Sequence, residues 1–228
     1  MATKIMQGLR KVVRDMVFGM QDGLISNLGL VLGVWQGGGG KFAIVLAGLA
    51  SMFAGAFSMS TGTYLAAKSQ REVYQHEIKS TAEQLERNPK ACVGEVKTIL
   101  RREGLGEREI RLLFQNSKKY SHPKFVCNYL VQRKVGISEQ KFDSPLKNAV
   151  AMFFSFLLGS LVPILPFVLL ANGTAAVIAS SLTIMALFLL GWAKTHFTKL
   201  NPFKSGMEIV LVGVGSGLVG YLVGYVLS

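Results

Sequence analysis

The sequence predicts an all-α membrane protein with five transmembrane helices and a helical cytosolic insert between the second and third. Three observations carry that prediction. Half of the 228 residues are hydrophobic and only 17% are charged. The apolar residues are gathered into five runs, each long enough to cross a bilayer as a helix of about 20 residues. The charge is gathered too: residues 68–147 hold 17 of the 25 Lys and Arg and 10 of the 13 Asp and Glu, leaving that block net +7.

The first span covers about 12–35 and ends at Gly37-Gly38-Gly39-Gly40. Asp22 and Asn27 make it too polar, and its length too great, for a signal-peptide core. The second covers about 42–67 and meets no charge until Lys68. The third, about 147–171, contains Pro163 and Pro166. The fourth, about 175–196, follows an Asn172-Gly173 turn, and the fifth runs over about 206–227. Lys4, Arg10, Lys11 and Arg14 precede the first span, and Lys194, Lys199 and Lys204 flank the turn before the fifth; the other side shows only Lys41. By the positive-inside rule the N-terminus and residues 68–146 are cytosolic and the C-terminus lies opposite. The expected divisions are therefore 1–67, 68–146 and 147–228.

Within the insert, 68–87 reads as a continuation of the second helix. Pro89 starts a new helix carrying Val93, Val96, Ile99 and Leu100 at helical spacing. A third passes through Ile110 to Phe114, and a fourth covers about 123–134, ending at Gly136. Cys92 and Cys127 form no CxxC pair and read as reduced thiols rather than a disulfide. The basic charge is not laid out as a nucleic-acid footprint, and no such motif occurs. No nucleophile–base constellation, phosphate loop or metalloprotease motif points to an enzyme, and no organic cofactor is implied.

Asp22 is the residue that composition cannot explain away. A carboxylate near the bilayer centre costs at least about 2.5–3.5 kcal/mol, so it persists where a cation or proton uses it. Asp15, Asp22, Ser26, Gly29 and Gly33 share one face of the first helix. Met52, Gly55, Met59 and Thr63 share a face of the second, with Ser58 and Gly62 beside them. Carboxylate and hydroxyl oxygens suit divalent cations, and thioethers add affinity for softer transition metals. The glycines would let helices or subunits approach closely. The bland readings are that the methionines pack a core, that Asp15 pairs with Arg14, that Ser and Thr bond the preceding turn, and that Gly213, Gly217, Gly220 and Gly224 serve helix packing.

Arg14-Asp15 through Gly19, Asp22-Gly23-Leu24, Gly29 and Gly33 resemble the first-helix motif of the vacuolar iron transporter family. Ala54-Gly55-Ala56-Phe57-Ser58-Met59, then Gly62, Tyr64, Ser69 and Gln70, resemble its second. Ser144-Pro145-Leu146, Gly159, Val162-Pro163 and Pro166 resemble its third. The resemblance implies a homodimer that exports Fe²⁺, often also Mn²⁺, from the cytosol against inward proton movement. The path would lie at the dimer axis. Asp22 would be the metal and proton site, Met59 a soft ligand, and Met52, Ser58 and Thr63 path residues.

Two departures stand out. Gly62-Thr63-Tyr64 has threonine where the family carries an acid. The Glu-rich capture cluster of the family's insert is thinned to Glu83 and Glu86, with Glu95 beyond Pro89, and Arg133-Lys134 replace an acidic pair. Glu72 and His76, one turn apart, are a further weak metal candidate. The rival reading is therefore a transporter-like membrane protein that has lost iron transport and carries another solute or acts as an interaction scaffold. The basic insert is also expected to meet anionic lipid.

Overall fold

A computed structural model describes residues 2–87, 89–116, 144–170, 172–198 and 201–228. Among these the chain forms seven α-helices: α1 (Ala2–Gln36), α2 (Lys41–Arg87), α3 (Pro89–Arg102), α4 (Glu107–Asn116), α5 (Pro145–Leu169), α6 (Asn172–Thr198) and α7 (Pro202–Leu227). Five segments are long and apolar enough to cross a membrane: Val12–Gln36, Lys41–Ser80, Pro145–Leu169, Gly173–His196 and Pro202–Leu227. The expected insert helix at 123–134, with Cys127, Arg133 and Lys134, lies outside the described residues.

Local chemistry sets the helix ends. α1 stops where Gly38 takes a φ of 78°, with Gly39 N donating to Val34 O at 2.9 Å. This is a Schellman closure, which glycine adopts without a Cβ penalty. Gly104, at φ 95°, closes α3 the same way as Leu105 N donates to Leu100 O. Proline at the first position starts α5 and α7, and Asn201 caps α7 by accepting from Phe203 N and Lys204 N.

The chain divides into two compact units, 1–66 with 143–228 and 67–142. In the first, α1 is the central helix and packs on α5, α6 and α7. Leu24 meets Leu187 of α6 and Ile209 of α7 in one apolar cluster. Val31 meets Ile44, Met52, Ile164, Phe167, Ala175, Ala176 and Ala179 in another. Lipid is as apolar as these side chains, so their gain is close packing rather than escape from water.

The tightest packing is glycine-made. A Cβ on Gly159 would lie 2.2 Å from Met20 O, and one on Gly23 would lie 2.4 Å from Phe156 O, so α1 and α5 touch backbone to backbone. On the C-terminal half of α1, Gly29 and Gly33 meet Ser216, Gly220 and Gly224 of α7; a Cβ on Gly220 would be 2.0 Å from Gly29 O. The glycines sharing Asp22's face thus find α7, not the second span. The fifth-span glycine series packs as expected: Gly213 faces Leu187, and Gly220 and Gly224 face α1.

The long α2 behaves differently. At about 1.5 Å per residue its 47 residues span roughly 70 Å, more than twice a hydrocarbon core. Its membrane part meets the bundle through side chains: Ile44 and Met52 enter the Val31 cluster, Gly48 rests on Ile164, and Gly55 on the Phe156 ring. Its opposite face leaves Phe42, Leu46, Phe53, Phe57 and Leu65 exposed.

In the second unit, Val96 and Leu100 of α3 and Ile110 of α4 are buried. Arg101 pairs with Glu107 across the turn, and Lys97 sits 5.4 Å from the Phe114 ring centre.

Candidate functional site

Asp22 lies ten residues into the span Val12–Gln36 and is half-buried on α1. Gly19 and Gly23 flank it by one turn and one residue and hold α1 against α5, with Ser155 Oγ and Phe156 O at their surfaces. No side chain within hydrogen-bond reach claims its carboxylate among the described residues. One turn on, exposed Ser26 donates from Oγ to Asp22 O at 2.6 Å. From Ser26 an open groove of about 610 Å³ runs toward the C-terminal end of α1, lined by Gly29, Gly33 and Gly37 of α1 and by Ser216, Gly220 and Gly224 of α7.

Asp15, which shares that stripe, is otherwise used. It is buried, and Arg14 grips it through Nε at 3.1 Å and Nη2 at 2.9 Å. The ion-pair reading of this residue is what the structure displays.

On α2 the expected path residues divide. Met52 is 5% exposed inside the Val31 apolar cluster, which is the packing reading of a methionine at helical spacing. Met59 is half-buried and Ser58 exposed. Thr63 is half-buried and donates from Oγ1 to Met59 O at 2.8 Å. That bond uses the hydroxyl proton and leaves the oxygen lone pairs to accept, the state in which a hydroxyl can face a cation. Gly62 has open space around it.

The weak insert candidates do not assemble. Glu72 is exposed and 3.9 Å from Lys68, and Glu83 is exposed and 4.0 Å from Lys79. His76 and Glu95 are exposed; the Glu86 side chain lies outside the described ones. Among the described residues no three His, Cys, Asp or Glu side chains gather to hold a metal ion.

Sequence reasoning missed Asn27. It is wholly buried, donating from Nδ2 to Ser160 Oγ at 2.9 Å and more weakly to Gly23 O. Ser160 Oγ in turn donates to Phe156 O at 2.8 Å. This chain pins α1 to α5 one turn beyond Asp22 and so fixes where the carboxylate sits. An amide in an apolar helix one turn from the acid was the available signal.

Together these features define an integral membrane protein of five helical spans whose central helix presents one unclaimed carboxylate. Its sequence carries the comparison further. The VIT family model matches residues 13–225. Vacuolar iron transporter 1 of Eucalyptus grandis is 33% identical over 204 residues, covering 89% of this chain and 81% of that protein. Vacuolar iron transporter 1 of Arabidopsis thaliana is 31% identical over the same length and shares. Protein CCC1 of Saccharomyces cerevisiae is 26% identical over 221 residues, covering 93% of this chain and 68% of that protein. The chain belongs to the VIT family.

Proposed function

We propose that this protein is a homodimeric transporter that exports Fe²⁺, and with it Mn²⁺, from the cytosol in exchange for protons. The single observation that carries the reading is Asp22: a half-buried carboxylate within a membrane span, claimed by no other side chain among the described residues, in a chain of this family. The names of the relatives supply the metal.

In this reading two copies of α1 face one another and two Asp22 carboxylates compensate the divalent charge. Met59 is the soft ligand, Ser58 and Thr63 offer oxygens along the path, and Met52 packs behind them. Proton exchange then needs no separate machinery. A carboxylate holding a proton binds a cation poorly, so loading one releases the other. The N-terminus and residues 68–146 face the cytosol, and the C-terminus lies opposite, following the basic residues. Residues 1–67 and 147–228 form the membrane part.

Reconstituted vesicles test the assignment. Asp22→Ala should lower Fe²⁺ and Mn²⁺ flux by at least about 100-fold, since even the outer-shell partners of metal ligands are worth about 10–100-fold. Flux equal to the parent's would remove Asp22 from the mechanism.

A second reading keeps the fold but not the cargo: a membrane protein that carries another solute or serves as a scaffold. Thr63 in place of an acid and the scattered, lysine-paired glutamates of the insert favour it. Metal-driven proton movement across a panel of divalent ions separates the two readings.

A further inference from the structure

The α3–α4 hairpin carries charge that metal capture has no use for. Ile110, Leu113 and Phe114 turn one side of α4 toward α3, with Ile110 fully buried. Arg108, Arg111, Leu112 and Gln115 follow spacings of three, one and three, so they share the opposite face, and all four are exposed. The two acids of α4 are already committed to the turn that builds the hairpin. Glu109 Oε2 accepts from Gly106 N at 2.8 Å, and Glu107 pairs with Arg101. Among the described residues neither Arg108 nor Arg111 is held in an ion pair. Among the described residues that face therefore presents two guanidinium groups outside any ion pair, with Leu112, 48% exposed, beside them.

That combination suits a membrane surface better than a soluble partner. Cationic side chains around an exposed apolar one are the mark of a helix lying in the headgroup layer. Guanidinium forks match phosphate and carboxylate groups in two-point hydrogen bonds. The block 68–147 is net +7 as a whole. It is joined without a break to a helix long enough to cross the bilayer, so the local concentration of lipid is set by the tether rather than by bulk binding.

We propose that the Arg108–Arg111–Leu112 face of α4 docks on anionic phospholipid headgroups of the bilayer that holds the protein's own spans. The contact is electrostatic in origin, with Leu112 reaching the acyl boundary. Each arginine raises the docked population about fivefold. The inference stands independently of which ion, if any, the spans carry.

The full-length protein tests it in nanodiscs. Cys92 and Cys127 are changed to serine, and Gln115→Cys carries a fluorophore on the same face. Discs are made of phosphatidylcholine alone or with a quarter phosphatidylserine, each containing spin-labelled lipid as quencher. Quenching should be strong with phosphatidylserine, weak without it, and reversed by half-molar salt. Arg108→Gln with Arg111→Gln should lower the docked-to-free ratio by roughly 25-fold, the product of two fivefold losses. Arg108→Lys with Arg111→Lys keeps the charge and should retain most of the quenching, which separates lost docking from lost folding. Equal quenching in both discs, insensitivity to salt, or loss in the lysine variant would each overturn the proposal.

Discussion

α1 and the membrane half of α2 are neighbours in sequence and opposites in how they are held. α1 is clasped on two sides by backbone: α5 against Gly19 and Gly23, α7 against Gly29 and Gly33. α2 rests on side chains, chiefly Phe156 and Ile164, and turns a row of aromatic and aliphatic groups outward. The helix with the carboxylate is fixed, and the helix with the thioether and hydroxyls is left with adjustable contacts and a large uncovered face. A site shared between them takes its position from α1 and its adaptability from α2.

The strongest way to break the contrast is to wedge α1 off its neighbours. Gly220→Val places a branched side chain where a Cβ alone would lie 2.0 Å from Gly29 O. Backbone on both sides must move, so the cost should reach or exceed the upper end of the usual 1–3 kcal/mol for overpacking. Thermal unfolding in detergent should show it as a large loss of Tm; an unchanged melt would mean that the α1–α7 contact is not tight.

Removing the α2 support comes next. Phe156→Ala leaves a void under Gly55 and should cost about 3 kcal/mol. The loss should fall on α2: hydrogen exchange in 50–60 should accelerate more than in 20–30. Equal acceleration in both segments would show that the two helices are coupled more tightly than their packing implies.

Thr63→Glu sharpens the chemical side of the comparison by giving α2 an acid at a half-buried position. Metal affinity in detergent, read by calorimetry with Mn²⁺, should rise about tenfold if α2 faces the Asp22 site. No change would place Thr63 off the path.

The smallest effect belongs to Gly62→Ala. Nothing lies within 4 Å of the added methyl in one protomer, and a helix-interior alanine gains up to about 1 kcal/mol over glycine. The protomer should be unharmed. A shift toward monomer in light scattering would then reveal that a partner packs on this point, and an unaltered mass would remove Gly62 from the interface.

Much of this was legible without coordinates. The spans were, because runs of about 20 apolar residues have one stable solution in lipid. The extension of α2 beyond Lys68 and the helix after Pro89 were, because propensity and punctuation agree there. The division of labour among small residues was not. Gly29 and Gly33 share Asp22's stripe, and spacing alone assigns them to the same partner as the carboxylate; only the fold reveals that α7 takes them. Met52 and Met59 share a stripe too, yet one lies in a core cluster and the other only half inside it. Periodicity fixes direction around a helix, not which neighbour stands at each height. The Asn27–Ser160 bond joins residues 133 apart in the chain, a pairing that no local pattern encodes.

The glycine seam of α1 with α7 has a consequence for descent. Glycine has no smaller replacement, and every change in its codon that alters the residue adds at least one carbon. At Gly220 and Gly224 that carbon would fall within 2.0 and 2.2 Å of a backbone oxygen of α1. The seam can therefore be inherited or lost but hardly varied. Lineages that alter what this architecture carries are expected to write their changes on α2, where Thr63 stands and where Gly62 leaves room.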